Sequence, residues 1–207
     1  MTEGEFAMIF FFILLGLLPS FAWLVFFLRE DSHPEPKKLL ALVFAGGFLG
    51  TFLALAAQLF IKYVIGLPDL SQFASYLDSP PGASPMIALT LAGFGAAFIL
   101  AGTEEIAKFI PTYALIRKNI SFDEPIDAMI YMITAGLGFA LVENVSILVT
   151  LPSGLIGDAL GIVTIRFVGA TLLHALSSAI VGYYWAHAMA NWKQKTMVAN
   201  PTHDDFI

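Results

Sequence analysis

The sequence predicts an all-α protein: a polytopic transmembrane helical bundle of about five to six spans, with the N-terminus outside and the C-terminus cytoplasmic. Three observations predict it. Of 207 residues, 58% are hydrophobic and 13% charged, and the mean hydropathy is +0.81, whereas soluble domains carry about 25% charged residues. Apolar runs recur at the length of about 20 residues that a helix needs to cross about 30 Å of hydrocarbon. Finally, the basic residues fall in alternate loops.

Five spans follow in order: Phe6–Leu28, Leu39–Ile65, Met86–Ile116, Ile126–Leu151 and Thr164–Asn191. The first is a retained span rather than a signal peptide, because no basic segment precedes it and Arg29-Glu30-Asp31 stands where small residues would mark cleavage. The third is over-long, so it should tilt, break or project from the bilayer. Gly154–Val163 is too short to cross before Arg166 and is expected as an interfacial or re-entrant piece; a crossing there would raise the count to six. Asp31-Ser32-His33-Pro34-Glu35-Pro36 and Ser79-Pro80-Pro81-Gly82 combine turn formers with helix breakers. Residues 1–192 are expected to form one transmembrane domain and 193–207 a polar cytoplasmic tail.

Orientation comes from the positive-inside rule. Arg29, Lys37 and Lys38 fall in the first loop, Arg117 and Lys118 in the third, and Lys193 and Lys195 in the tail. All seven share one side if there are five spans. The net charge of −6 is spread between loops and spans, which leaves no footprint for nucleic acid. The absence of cysteine excludes disulfides, iron–sulfur ligation and a thiol nucleophile.

Glu104, Glu105, Lys108, Glu143 and His174 lie within predicted hydrocarbon, where an ionised side chain costs about 2.5–3.5 kcal/mol on insertion scales. At about 100° per residue, Glu104, Glu105 and Lys108 project from one side of the third span. The order Glu104 then Lys108 at i, i+4 favours an ion pair. At about 1.5 Å per residue, Glu104 sits roughly 20 Å from the end marked by Arg117, Glu143 roughly 25 Å into the fourth span and His174 roughly 15 Å into the fifth. Three helices thus carry polar groups at a similar depth. Gly102, Gly136, Gly138, Ala170, Ala175 and Ser178 are small enough to let those helices approach closely. Structural readings stand beside this one: an ion pair alone, a satisfied buried histidine, an interhelical clamp of Glu143 with Asn144, and Arg166 as a snorkelling anchor.

Other intramembrane chemistries lack their motifs. There is no His-Glu-x-x-His for zinc, no Gly-x-Ser-Gly for a serine nucleophile, and Gly154-Leu-Ile-Gly157-Asp158 has the wrong spacing for an aspartyl site. A glutamate–histidine arrangement remains. A proton-coupled transporter or channel would use similar groups, but matched repeats are not evident. A non-catalytic membrane scaffold is the third possibility.

In order along the chain, Glu104-Glu105-x-x-Lys108, Gly138-Phe139-Ala140-x-x-Glu143-Asn144, Arg166, His174-Ala175 and Gly182 resemble the PrsW family. Pro19-Ser20, Trp23-Leu24, the Asp31/Pro34-Glu35-Pro36 loop and Gly46-Gly47 extend the resemblance upstream. It implies an integral-membrane endopeptidase of the prokaryotic plasma membrane, similar in its core to prenyl-protein (CAAX) endopeptidases, acting on membrane-anchored, anti-sigma-factor-like proteins. By the same resemblance Glu104 and Glu105 activate water, and His174 assists or stabilises the oxyanion. Asn144 donates to that oxyanion, Glu143 orients His174, Lys108 holds the glutamate pair and Arg166 supports. No obligate metal is expected; zinc, if used, would sit on Glu104, Glu105 and His174.

Overall fold

The computed structural model describes residues 3–29, 33–65, 86–122, 124–151 and 156–199, and helices are the only regular elements among them. They are α1 (Glu3–Arg29), α2 (Lys37–Phe60), α3 (Met86–Ile116), α4 (Pro125–Val149), α5 (Ile156–Arg166) and α6 (Leu172–Ala199). A wide π turn, Ile61–Ile65, extends α2, and a second, Phe167–Thr171, joins α5 to α6 without a break. The expected turn at Ser79-Pro80-Pro81-Gly82, the Asp31-Ser32 part of the first loop and the chain beyond Ala199 lie outside the described residues.

Among the described residues four stretches are long and apolar enough to cross a membrane: Glu3–Arg29, Lys37–Val64, Pro125–Val149 and Ile156–Asn191. The 31-residue α3 matches them in length and carries Glu104, Glu105 and Lys108 in its second half. The last stretch corrects the sequence reading. The helix begins at Ile156 rather than Thr164, and the segment before Arg166 belongs to it instead of forming a separate interfacial piece. Ile156–Arg166 contains no proline to stop a helix, so it runs on into the span expected from Thr164.

Helix α4 is the axis of the bundle. Ile130 through Leu141 are all buried, and the helix packs against α1, α2 and α6. Lipid is as apolar as leucine, so such helices associate through close packing rather than the hydrophobic effect. Glycine makes that packing possible here. A Cβ on Gly138 would run into the Phe44 carbonyl of α2, and one on Gly47 into the Ala135 carbonyl of α4. One on Gly136 would lie 2.8 Å from the His174 carbonyl of α6. These approaches bring α2, α4 and α6 together at the level of the polar residues.

The start of α4 is fixed locally. Pro125 occupies the first turn, and Glu124 and Asp127 form a reciprocal capping box, with the Glu124 amide donating to Asp127 Oδ2 at 2.8 Å. His33 Nδ1 lies 3.3 Å from Glu124 Oε1, and Tyr131 donates to the buried Glu35. These contacts join the loop before α2 to the start of α4. At the same end Trp185 of α6 packs edge-on to Phe109, with ring centroids 5.3 Å apart. Arg29, Lys37, Lys38, Arg117 and Lys118 therefore share one end of the bundle, as the basic pattern required of an antiparallel arrangement.

Candidate active site

Helix α3 supplies three ionisable groups, and its neighbours divide them. Glu104 faces α2, where Gln58 Nε2 donates to its Oε1 at 3.1 Å. Glu105 faces α6: its Oε1 accepts from Ser177 at 2.8 Å and its Oε2 from Ser178 at 2.9 Å. Lys108 is fully buried. Its Nζ donates to Glu105 Oε1 at 2.7 Å, lies 2.9 Å from His174 Nδ1 and stands 4.5 Å from the centre of the Phe139 ring.

The ion pair on α3 is thus Glu105–Lys108 at i, i+3, not the expected Glu104–Lys108 at i, i+4. Both spacings put side chains on adjacent turns. The hydroxyls of Ser177 and Ser178 and the imidazole of His174 draw Lys108 and Glu105 together towards α6.

An ammonium can only donate. The Lys108–His174 contact therefore assigns Nδ1 as the acceptor, with the ring proton on Nε2. Nε2 lies 3.0 Å from Glu143 Oε2, so this tautomer donates to that carboxylate. The same oxygen accepts from Arg166 Nη2 at 3.0 Å, and Arg166 Nε donates to Asn144 Oδ1 at 2.6 Å. Asn144 Nδ2 in turn donates to Thr171 Oγ1 at 3.1 Å. Asn144 is only 1% exposed, so its amide lies within the packing between α4 and the wide turn rather than facing open space.

The structure brings Glu104, Glu105, Lys108, Glu143, Asn144, Arg166 and His174 into one continuous polar cluster. Sequence reasoning missed Gln58, Ser177 and Thr171. Gln58 had a signal. It is a polar residue inside an apolar run, seven positions after Thr51 and so on the same helix face. The wide turn beside His174 had no visible signal, since nothing in Phe167–Thr171 distinguishes it from ordinary helix.

One ligand atom each from Glu104, Glu143 and His174 lie within 4.8 Å of one another. Two carboxylate oxygens and one imidazole nitrogen suit zinc, whose catalytic sites take three protein ligands and keep a position open. The group differs from the one expected by sequence: Glu143 takes the place of Glu105, whose two oxygens are engaged by Lys108, Ser177 and Ser178. The donor set fits a metal by type and spacing. Coordination through Nε2 would make Nδ1 a donor, and Lys108 would then turn wholly to Glu105, which it already contacts.

A helical bundle of this kind, with carboxylates and a histidine converging between its spans, defines a polytopic membrane protein with a polar cluster inside the bundle. The chain belongs to the PrsW family: the profile described as PrsW family intramembrane metalloprotease matches residues 35–201. It is 26% identical over 174 residues to a Protease PrsW of Geobacillus kaustophilus, covering 84% of this chain and 64% of that protein. A Protease PrsW of Oceanobacillus iheyensis is 27% identical (88% and 72% covered), and one of Bacillus subtilis 28% identical (84% and 66%). The chain thus spans about two thirds of the length of these relatives. No solved structure matches it.

Proposed function

We propose that this chain is an intramembrane endopeptidase that hydrolyses peptide bonds of membrane-anchored protein substrates, using the cluster built around Glu104, Glu143 and His174. The observation that carries the reading is the convergence of those three side chains within 4.8 Å at the centre of a helical bundle, in a chain of the PrsW family. Intramembrane ionisable groups are costly and by default functional.

The roles follow from the hydrogen bonds. Glu105 accepts from Lys108 and two serines, so it anchors the cation. Glu104, bonded at one oxygen to Gln58, is the carboxylate free to take a proton from water. His174 directs its Nε2–H to Glu143 Oε2 at the edge of the same space; turned from that carboxylate to the substrate, this N–H would donate to developing oxyanion charge. Glu143, held by Arg166, fixes the ring. Asn144, bonded on both sides, acts as a positioning residue between Arg166 and Thr171 rather than as an oxyanion donor. Where a metal is used, Glu104, Glu143 and His174 would hold it, and it would supply Lewis-acid polarisation of the scissile carbonyl.

The orientation is part of the proposal: N-terminus outside, basic end of the bundle in the cytoplasm, within a prokaryotic plasma membrane. The substrate class, a single-span protein of the anti-sigma-factor type, rests on the family. Co-expression of a tagged single-span reporter tests the reading. Fragments should appear with the wild type and vanish with Glu104→Gln at equal protein level; fragments unchanged by that substitution would exclude the proposed site.

A further inference from the structure

Arg166 and His174 are eight positions apart, yet both meet Oε2 of Glu143 at 3.0 Å. In a regular α-helix eight residues advance about 800°, which leaves the two side chains about 80° apart. Seven residues advance about 700°, within about 20° of the same face. The wide turn at Phe167–Thr171 lies between them, and such a turn accommodates one extra residue in an otherwise α-helical run. It converts an eight-residue separation into the register of seven. The turn thereby sets Arg166 and His174 on the face that meets Glu143.

A wide turn inside a helix needs something to hold it, since regular α-helix is the default. Trp23 of α1 meets it from outside: its Nε1 donates to the Phe167 carbonyl at 2.8 Å, and the two rings stack with centroids 5.2 Å apart. From the far side Asn144 donates to Thr171, the last residue of the turn. The turn is gripped at its first residue by α1 and at its last by α4.

We propose that Trp23 is a positioning residue: by holding the Phe167 carbonyl it maintains the wide turn that sets Arg166 and His174 on one carboxylate. Its bearing on hydrolysis rests on the peptidase reading; the register itself does not, and is measured without substrate. The protein, purified in detergent with 15N-labelled histidine, reports the ring nitrogens of His174, whose signals are identified by their absence in His174→Gln. Trp23→Phe keeps an aromatic ring beside Phe167 and removes the donor together with the second ring of the indole. Deletion of the exposed Val168 gives the seven-residue spacing directly, with no wide turn required.

Trp23→Phe should shift the His174 signals away from the wild-type pattern, and adding the Val168 deletion should restore it. A general packing role for Trp23 would not be repaired by removing a residue from another helix. A wild-type pattern in Trp23→Phe, or a folded double variant that fails to recover it, overturns the proposal. If Trp23→Phe does not fold, the Val168 deletion alone decides: retention of the wild-type His174 signals supports the register, and their loss contradicts it.

Discussion

Nζ of Lys108 lies 2.9 Å from Nδ1 of His174, so a cation with no solvent exposure fixes the tautomer of the histidine beside it. That contact links α3 to α6, and the ion pair with Glu105 at 2.7 Å neutralises the charge where lipid and protein would not. Removing one partner of a buried pair costs about 3–5 kcal/mol, because the other charge is left uncompensated. Lys108→Met should therefore lower stability by about 3 kcal/mol and reduce cleavage at least about 100-fold through the misoriented imidazole. Denaturation of the purified protein in mixed micelles, run beside an activity assay, checks both; unaltered unfolding would show that the pair is not structural.

The two candidate metal sets differ in one glutamate. If zinc binds, titration should give about one equivalent per chain, as a single three-ligand site allows. Glu143→Gln and Glu104→Gln should each weaken binding by more than about 100-fold, since even outer-shell changes cost about 10–100-fold. Glu105→Gln should leave the three ligands in place and cost less. Competition with a chromophoric chelator measures all three, and a dominant loss in Glu105→Gln would restore the set expected from sequence alone.

Much of this site was legible before any coordinates. Glu104, Glu143 and His174 stood out because charge is rare in apolar spans, and rise per residue placed them at a common depth. The pairing within α3 was not legible: Glu104 and Glu105 both lie within one turn of Lys108, and only Ser177, Ser178 and His174 on another helix decide between them. The wide turn inside the last span was hidden for a related reason. A wide turn is specified by its tertiary partners, here Trp23 and Asn144, and Phe167–Thr171 carries no mark of its own. The ends of the first four helices came within a few residues, because bilayer thickness and turn formers set them locally, whereas the last helix starts eight residues before the expected Thr164.

The close approach of α2 to α4 predicts sharp intolerance at two glycines. Gly138→Ala and Gly47→Ala each drive a methyl group into a backbone carbonyl, and overpacking of this kind costs about 1–3 kcal/mol. Gly157→Ala, where a Cβ meets nothing within 4 Å, should be neutral. Thermal unfolding of the three variants in detergent makes the comparison; equal stability across them would mean the helices do not pack as described.

Gln58 separates catalysis from folding. Its only assigned partner in the site is Glu104, and it is neutral. Gln58→Leu should leave stability within about 1 kcal/mol, the net worth of one such hydrogen bond. It should lower kcat about tenfold, by freeing the carboxylate that handles the water. Steady-state kinetics with a stability control tests this, and a variant with unchanged kcat would remove Gln58 from the site.

The central claim is tested most directly by cleavage of quenched transmembrane peptides by purified protein in detergent, with Glu104→Gln, His174→Ala and Glu105→Gln beside the wild type. Wild type should cleave, with the rate reduced at least about 1,000-fold in Glu104→Gln and His174→Ala, on the scale of losing an activating group. Glu105→Gln should retain a residue of activity, because its role is to hold Lys108. Cleavage that persists undiminished in Glu104→Gln and His174→Ala would contradict the account.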